Sequence, residues 1–179
     1  MKSTLLLLIF LVGSWTDPVA AQSSIETDPG YVSFADLNDI FGVAPKIEAN
    51  IHGAILRLVA EAAELEDPEL ADLLRRVRGV YVRVFDLNRL NLDTVKSYKD
   101  RVSRLLVEGG WDTVIAVRKR NEDVNMYVRL VDEEIAGMVV MSINHFDDET
   151  AFLNIVGDID PEQIGRIGRK FGASRVSDF

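Results

Sequence analysis

The 179-residue sequence contains no cysteine. This absence excludes disulfide bonds, thiol nucleophiles and thiolate metal sites, and it removes the side chain that would carry an N-terminal lipid. We therefore expect no lipid anchor. A domain without disulfides must be held together by its hydrophobic core, and a hydrophobic content of 47% is compatible with such a core.

Basic residues are outnumbered by acidic ones. The sequence has 20 Lys and Arg against 29 Asp and Glu, which gives a formal net charge of −9. Proteins that bind nucleic acid present basic surfaces to the phosphates, and anionic lipid also attracts basic segments. We therefore expect no nucleic-acid partner and no electrostatic binding to anionic membranes.

Long apolar runs are missing as well. The run at residues 5–12 is too short for a transmembrane helix, which needs about 20 residues. Lys2 precedes this run, and the small residues Val19, Ala20 and Ala21 follow it. A positive start, an apolar run and a small-residue cleavage site are typical of a secretory signal peptide.

These features predict the organisation of the chain. We expect residues 1–21 to be a cleaved signal peptide, residues 22–32 a flexible leader, and residues 33–179 a single domain. The protein would then be an exported bacterial protein, located in the periplasm or outside the cell. No transmembrane segment would remain after cleavage.

The later part of the chain shows the pattern of a sheet. Four consecutive segments within residues 111–157 alternate apolar and polar side chains, and short polar turns separate them. This pattern predicts four strands that pair as an antiparallel meander. Residues 46–51 and 80–85 alternate in the same way and predict two earlier strands.

Helical patterns lie between and around these strands. Residues 53–65 carry the apolar set Ile55, Leu58, Val59 and Ala62 at helical spacing. Asp67-Pro68, Asp93 and Asp160-Pro161 are predicted to begin three more helices, Gly79 is predicted to end the second of the four, and a short helix at 33–41 precedes them all. The sequence therefore predicts an α+β fold, a two-layer sandwich whose largely antiparallel sheet ends in a C-terminal four-strand meander and is covered by about four helices.

Five pieces of the sequence, in their order and spacing, are similar to a known family. They are residues 29–32 (PGYV), 46–58 (KIEANIHGAILRL), 67–84 (DPELADLLRRVRGVYVRV), Trp111 and 153–159 (LNIVGDI). Together they resemble the DUF4252 family of exported bacterial proteins, whose function is not established. The resemblance covers nearly the whole chain after residue 21 and implies an exported protein of this fold. It implies no catalytic residue and no cofactor. Some members look lipid-anchored, which this chain cannot be without a cysteine.

Residue chemistry nominates no catalytic, cofactor-binding or metal-binding residue. The two histidines, His52 and His145, lie far apart in the sequence and lack the spacing of a zinc site, so we interpret both as surface or boundary residues. Asp147 and Asp148 belong to an acidic stretch that we interpret as a hairpin turn, although such oxygens could also bind calcium. No Gly-x-Ser-x-Gly motif and no phosphate-binding glycine loop is present. If the protein is an enzyme, the weak candidates for its catalytic residues are His52, His145, Asp147 and Asp148.

The strand predicted at residues 135–143 is apolar on both faces. Met138 and Val140 share one face of it, and such a strand is usually covered on both sides. Either the short helix at 34–41 covers the second face, or a partner or a second copy of the chain does. Met138 and Val140 are therefore the candidate partner-facing residues.

Two functions follow from these patterns. The favoured one is an exported, non-enzymatic protein-binding or accessory domain, acting on a protein partner or by self-association. The alternative is an envelope hydrolase whose Asp, Glu or His residues come together only in the fold. It requires a pocket that holds two carboxylates, or a carboxylate and a histidine, within hydrogen-bond reach.

Overall fold

The structure, a computed structural model, describes residues 25–159. The predicted signal peptide and the helix predicted at Asp160-Pro161 lie outside the described residues. In chain order, the elements are a 3-10 turn (Ile25–Thr27), α1 (Leu37–Phe41), β1 (Ile47–His52), α2 (Gly53–Ala63), α3 (Pro68–Arg76), β2 (Val77–Asp86), a second 3-10 turn (Leu87–Arg89), α4 (Leu92–Glu108), β3 (Asp112–Lys119), β4 (Glu122–Val131), β5 (Glu134–Asn144) and β6 (Glu149–Gly157).

The six strands form one antiparallel sheet in the order β1-β2-β6-β5-β4-β3. Strands β3 to β6 make the predicted meander, each paired with its neighbour in sequence. The earlier pair β1-β2 joins the meander through β2, which pairs with β6. The predicted α+β class with an antiparallel sheet is confirmed, and β1 and β3 are the two edge strands.

Successive strand residues point to opposite sides of the sheet. Both faces of this sheet carry apolar side chains. One face, here called the α4 face, packs Phe85, Tyr127, Val139, Met141 and Phe152 against side chains from α4 and from residues 25–41, here called the leading segment. These are Phe34, Leu37, Tyr98, Val102 and Leu106. The leading helix therefore takes part in covering β5. The sequence offers this helix and a partner as the two alternatives for a second cover of that strand.

The opposite face, here called the α2 face, lies under α2 and α3. Met126, Val128, Met138 and Ile155 form a cluster there with Leu56 of α2, and Leu73 and Leu74 of α3 pack against it. Helices therefore cover both sides of the sheet. Within residues 25–159, none of the helices combines the length and the apolar character needed to cross a bilayer.

Local signals set the starts of the helices. Asp67 caps α3 as predicted: its side chain accepts a hydrogen bond from the Leu70 N–H at 3.0 Å, and Pro68 occupies the first turn. The cap of α4 is Asn91 rather than Asp93, because Asn91 Oδ1 accepts from the N–H groups of both Asp93 and Thr94. Asp93 stays in the first turn, where a carboxylate favours the helix dipole.

The sequence predicts that Gly79 ends α3, but in the structure Gly79 lies inside β2. The helix already stops at Arg76, and the strand begins at Val77. A Cβ on Gly79 would meet Ile25 Cδ1 at 2.6 Å and Tyr81 Cε2 at 2.9 Å. This glycine therefore makes room for a ring and an aliphatic side chain above the strand.

The segment predicted to be a flexible leader is held on the α4 face from Ile25 onward. Asn154, fully buried in β6, accepts from the Val32 N–H at 2.9 Å and donates to Gly30 O at 2.9 Å and Met138 O at 3.1 Å. Gly30 packs directly on Gly137 of β5, with no room for a Cβ on either residue. A buried side-chain amide and a glycine pair thus attach this segment across β5 and β6.

Candidate functional site

The structure does not bring the two histidines together. His52 pairs with Gly79 near the start of β2, whereas the turn at 145–148 adjoins the far end of β2, where Glu149 pairs with Asp86. At about 3.3 Å per strand residue, the two ends lie roughly 20 Å apart. A site that uses both histidines is therefore not formed.

The acidic turn between β5 and β6 is organised by its own hydrogen bonds. Asn144 Nδ2 donates to Asp147 Oδ2 at 2.6 Å, and Asn144 Oδ1 accepts from the Phe146 N–H at 2.8 Å. Asp148 adopts a positive φ of 52° and its carbonyl accepts from the Leu87 N–H at 2.8 Å. In the described part of the chain, no three His, Cys, Asp or Glu side chains converge closely enough to hold a metal ion.

The two candidate partner-facing residues lie on the α2 face of β5. Met138 is fully buried in the cluster under α2 and α3, and Val140 is half-buried at its margin. Met138 therefore offers no free surface to a partner. The half-buried Val140 stays a predicted partner-facing residue.

A cleft of about 1070 Å³ lies over β1 and β2 and extends past the end of the sheet towards α2 and α3. Residues 25–35 form one wall of it. On the strands, its lining includes Asn50, His52, Tyr81 and Arg83. The cleft therefore joins the part of the α4 face that the leading segment leaves open to the end of the sheet beside α2 and α3.

The cations of this cleft are mostly paired. Buried Arg83 forms an ion pair with Glu48 at 3.0 Å, and it donates to Asn50 Oδ1 and Val82 O at 2.9 Å each. Arg78 pairs with Asp28 of the wall at 2.7 Å. Because carboxylates at or beside its rim balance these guanidinium groups, the cleft shows no clear preference for anions.

Tyr81 is the unusual group in the cleft. Its ring meets Tyr31 edge-on at 5.2 Å and stacks with His52 at 6.3 Å. Its hydroxyl is buried and has no hydrogen-bond partner among the described residues. Burial raises the pKa of Tyr81, and the nearby Tyr31 and Glu26 raise it further. A buried hydroxyl without a partner is uncommon in folded proteins.

The requirements of a hydrolase can be compared with this cleft. His52 lines it together with the carboxylates of Glu26 and Asp28. The Asp28 side chain is already used by the Gly30 N–H and by Arg78, and the imidazole of His52 makes no hydrogen bond or ion pair within residues 25–159. Among residues 25–159, no hydrogen bond joins His52 to a carboxylate of the cleft, and the hydrolase alternative stays a prediction.

The second feature is an exposed apolar strip on α2. The helix buries Leu56 and Ala60, while Ile55, Leu58 and Val59 are 58%, 64% and 41% exposed. These three belong to the set whose spacing the sequence marks as a packing face. Apolar helix faces are usually buried. The exposed fractions of these three side chains show that the strip has no cover within the described residues.

Helix α2 contacts β1, which is an edge strand of the sheet. Ile47, at the start of β1, is 50% exposed. Ile51 of the same strand packs into the cluster under α2, which places Ile47 on the α2 face as well. We call the outer edge of β1 together with Ile47, Ile55, Leu58 and Val59 the β1–α2 surface. Sequence reasoning missed it, and the signal available was a helix with apolar residues on two sides.

The chain matches the family model for a domain of unknown function, DUF4252, over residues 45–167. This match covers more than half of the chain, and the protein belongs to the DUF4252 family. No curated protein and no solved structure is detectably similar to it.

Proposed function

We propose that this DUF4252 protein is an exported, non-enzymatic binding domain that recognises a protein through the β1–α2 surface. The observation that carries the proposal is the outward position of Ile55, Leu58 and Val59. Their helical spacing is that of a packing face, but their side chains remain in water. Contiguous apolar groups of this kind are characteristic of protein contact sites.

The free energy available from this strip is appreciable. Full burial of an Ile, Leu or Val side chain contributes about 1.5–3 kcal/mol. Because the three side chains are roughly half exposed in the domain, a partner that covered them would gain about 1 kcal/mol from each. Hydrogen bonds to the edge of β1 would add direction and register to this apolar attraction.

The experiment compares partner capture by two matched variants in the bacterium that makes the protein. The double variant Ile55→Ser/Leu58→Ser removes the strip, and the control Ala54→Ser/Glu61→Ser changes exposed positions of the same helix. In-cell crosslinking followed by mass spectrometry reports what each variant retains. We expect capture to be lost with the first and kept with the second.

Stability must be measured in parallel by urea unfolding. Because the replaced side chains are largely exposed, we expect the free energy of unfolding to fall by no more than about 1 kcal/mol. A folded Ile55→Ser/Leu58→Ser protein that captures the same partners in the same amounts would contradict the proposal. Fractionation of the cells tests the export that the proposal includes.

A further inference from the structure

We infer that the partner of the β1–α2 surface is a second copy of this chain. In this arrangement, β1 pairs antiparallel with β1 of the other copy across a two-fold axis, and the two sheets join into one. The exposed strips of the two α2 helices then pack together on one face of the joined sheet. This inference rests on the proposed function and names the partner of the same surface.

The edge of β1 is open and regular. Its six residues pair with β2 in an unbroken register from Ile47↔Val84 to His52↔Gly79. Edge strands are usually protected by bulges, prolines or inward-pointing charges, because an unprotected edge pairs with other strands. The other edge strand, β3, is irregular, because its register with β4 shifts between Thr113 and Ile115.

The exposed strip of α2 faces outward past this edge. Helix α3 packs on the flank of α2 that carries Glu64, which is ion-paired with Arg75. At 100° per residue, Ile55, Leu58 and Val59 lie on the opposite flank. Helix α2 contacts both β1 and β2, whereas α3 lies over β2. The strip therefore overhangs the free side of β1, where a neighbouring α2 would meet it.

Antiparallel self-pairing of β1 keeps the Glu48 carboxylates of the two copies apart. A two-fold axis at Asn50 places Glu48 opposite His52 of the other copy, and an axis at Ala49 places Glu48 opposite Asn50. Both registers keep Ile47, Ala49 and Ile51 on the face of the two α2 helices, because residues two apart share a face. A parallel, in-register pair would instead set Glu48 beside Glu48, which is unfavourable.

A two-fold interface also satisfies the geometry that such a surface requires. In an isologous contact, the same patch is used by both copies and must be complementary to itself. An open antiparallel edge flanked by an apolar helix meets that condition. Two copies bury both edges and both strips, so neither is left exposed.

Because the chain contains no cysteine, a single introduced cysteine can test the pairing of β1 by disulfide crosslinking. Opposed residues of an antiparallel pair have Cα atoms about 4.5–5.5 Å apart, within the range that a disulfide can bridge. The full-length gene is expressed with a C-terminal tag, and the protein is purified as the cell processes it, with a single Asn50→Cys or Ala49→Cys replacement. Ala116→Cys, an exposed position on the other edge strand, is the matched control.

We expect one of the two β1 variants to form a covalent dimer in mild oxidant, several times faster than Ala116→Cys does. We also expect the cysteine-free protein to sediment as a dimer, and Leu58→Glu to convert it to a monomer. Equal crosslinking at all three positions, together with a monomer at the highest soluble concentration, would overturn the inference. In that case, strip-dependent capture of a different protein would still leave the proposed function standing.

Discussion

Replacing Gly137 by alanine is expected to push the leading segment off the sheet. A Cβ at position 137 would lie 2.5 Å from both Cα and O of Gly30, where ordinary contacts are 3.4–4 Å. One of the two backbones has to move by about 1 Å to remove this overlap. Gly137 belongs to a strand paired on both sides, with Arg129 of β4 and Val156 of β6, so the segment that carries Gly30 should yield.

The cost of this movement can be worked out from Asn154. Two of its three hydrogen bonds, from the Val32 N–H and to Gly30 O, connect β6 with the leading segment. Each net hydrogen bond contributes about 1 kcal/mol, and each buried polar atom left unpaired costs about 1–3 kcal/mol. We therefore expect the free energy of unfolding to fall by roughly 2–4 kcal/mol, a large part of a typical total of 5–15 kcal/mol.

Urea unfolding of Gly137→Ala measures this loss, and a double-mutant cycle identifies its source. Gly30→Ala should be destabilising for the same reason, and the combined variant should cost clearly less than the sum of the two. Cleavage after Glu26 by a glutamate-specific protease should also become faster in each variant. If Gly137→Ala unfolded within about 0.5 kcal/mol of the parent and its cleavage were unchanged, the described packing of this segment would be refuted.

The ion pair between Lys99 and Asp123 and the buried phenol of Tyr98 give two further quantitative expectations. Asp123→Asn should lower the free energy of unfolding by roughly 2–4 kcal/mol, because it leaves the buried ammonium group of Lys99 without its ion-pair partner. Lys99→Met should cost less, about 1–3 kcal/mol, because the partly exposed Asp123 carboxylate can be hydrated and the buried Asn125 Oδ1 loses its donor. Urea unfolding of both variants checks the contrast. Burial, followed by the hydrogen bond to Asp36, raises the pKa of Tyr98, whereas Arg101 lowers it. The neutral phenol of Tyr98 thus stabilises the fold fully below about pH 10, and this contribution declines by up to about 1.4 kcal/mol per pH unit as the pH rises further. Tyr98→Phe should flatten that decline in unfolding measurements between about pH 10 and 11.

The sequence predicts the sheet well because alternation is a local property. The segments within residues 111–157 have short connections, and consecutive strands with short turns pair with each other. Alternation along β5 places Met138 and Met141 on opposite faces of the sheet, and both are buried because both faces are covered.

Periodicity does not reveal what covers an apolar face. In α2, the same helical spacing fits two flanks, and the structure buries the one with Leu56 and Ala60 and leaves Ile55 and Leu58 outside. The choice depends on where α3 packs. The packing of α3 on α2 depends on the path of the connection between the two helices, and no local signal in the sequence states it.

Buried polar side chains were equally beyond prediction. Lys99 comes from α4, but it donates to Asp123 and Asn125 of β4, and Asn125 donates in turn to Tyr127 at 3.1 Å. In the sequence, Lys99 resembles any solvated helix residue. Its partners are 24 and 26 positions away, and only the packing of α4 onto the sheet brings them together.

The cleft and the β1–α2 surface meet at β1, and this has a consequence for both. Asn50 and His52 line the cleft from the strand whose outer edge would pair with a second copy. A paired β1 would extend the floor of the cleft past His52 and bring the clefts of two copies towards the same two-fold axis. Any ligand of the cleft should therefore bind the parent protein and the Leu58→Glu monomer differently, although Leu58 itself does not line the cleft. Equal binding to both would show that the cleft is independent of the edge of β1.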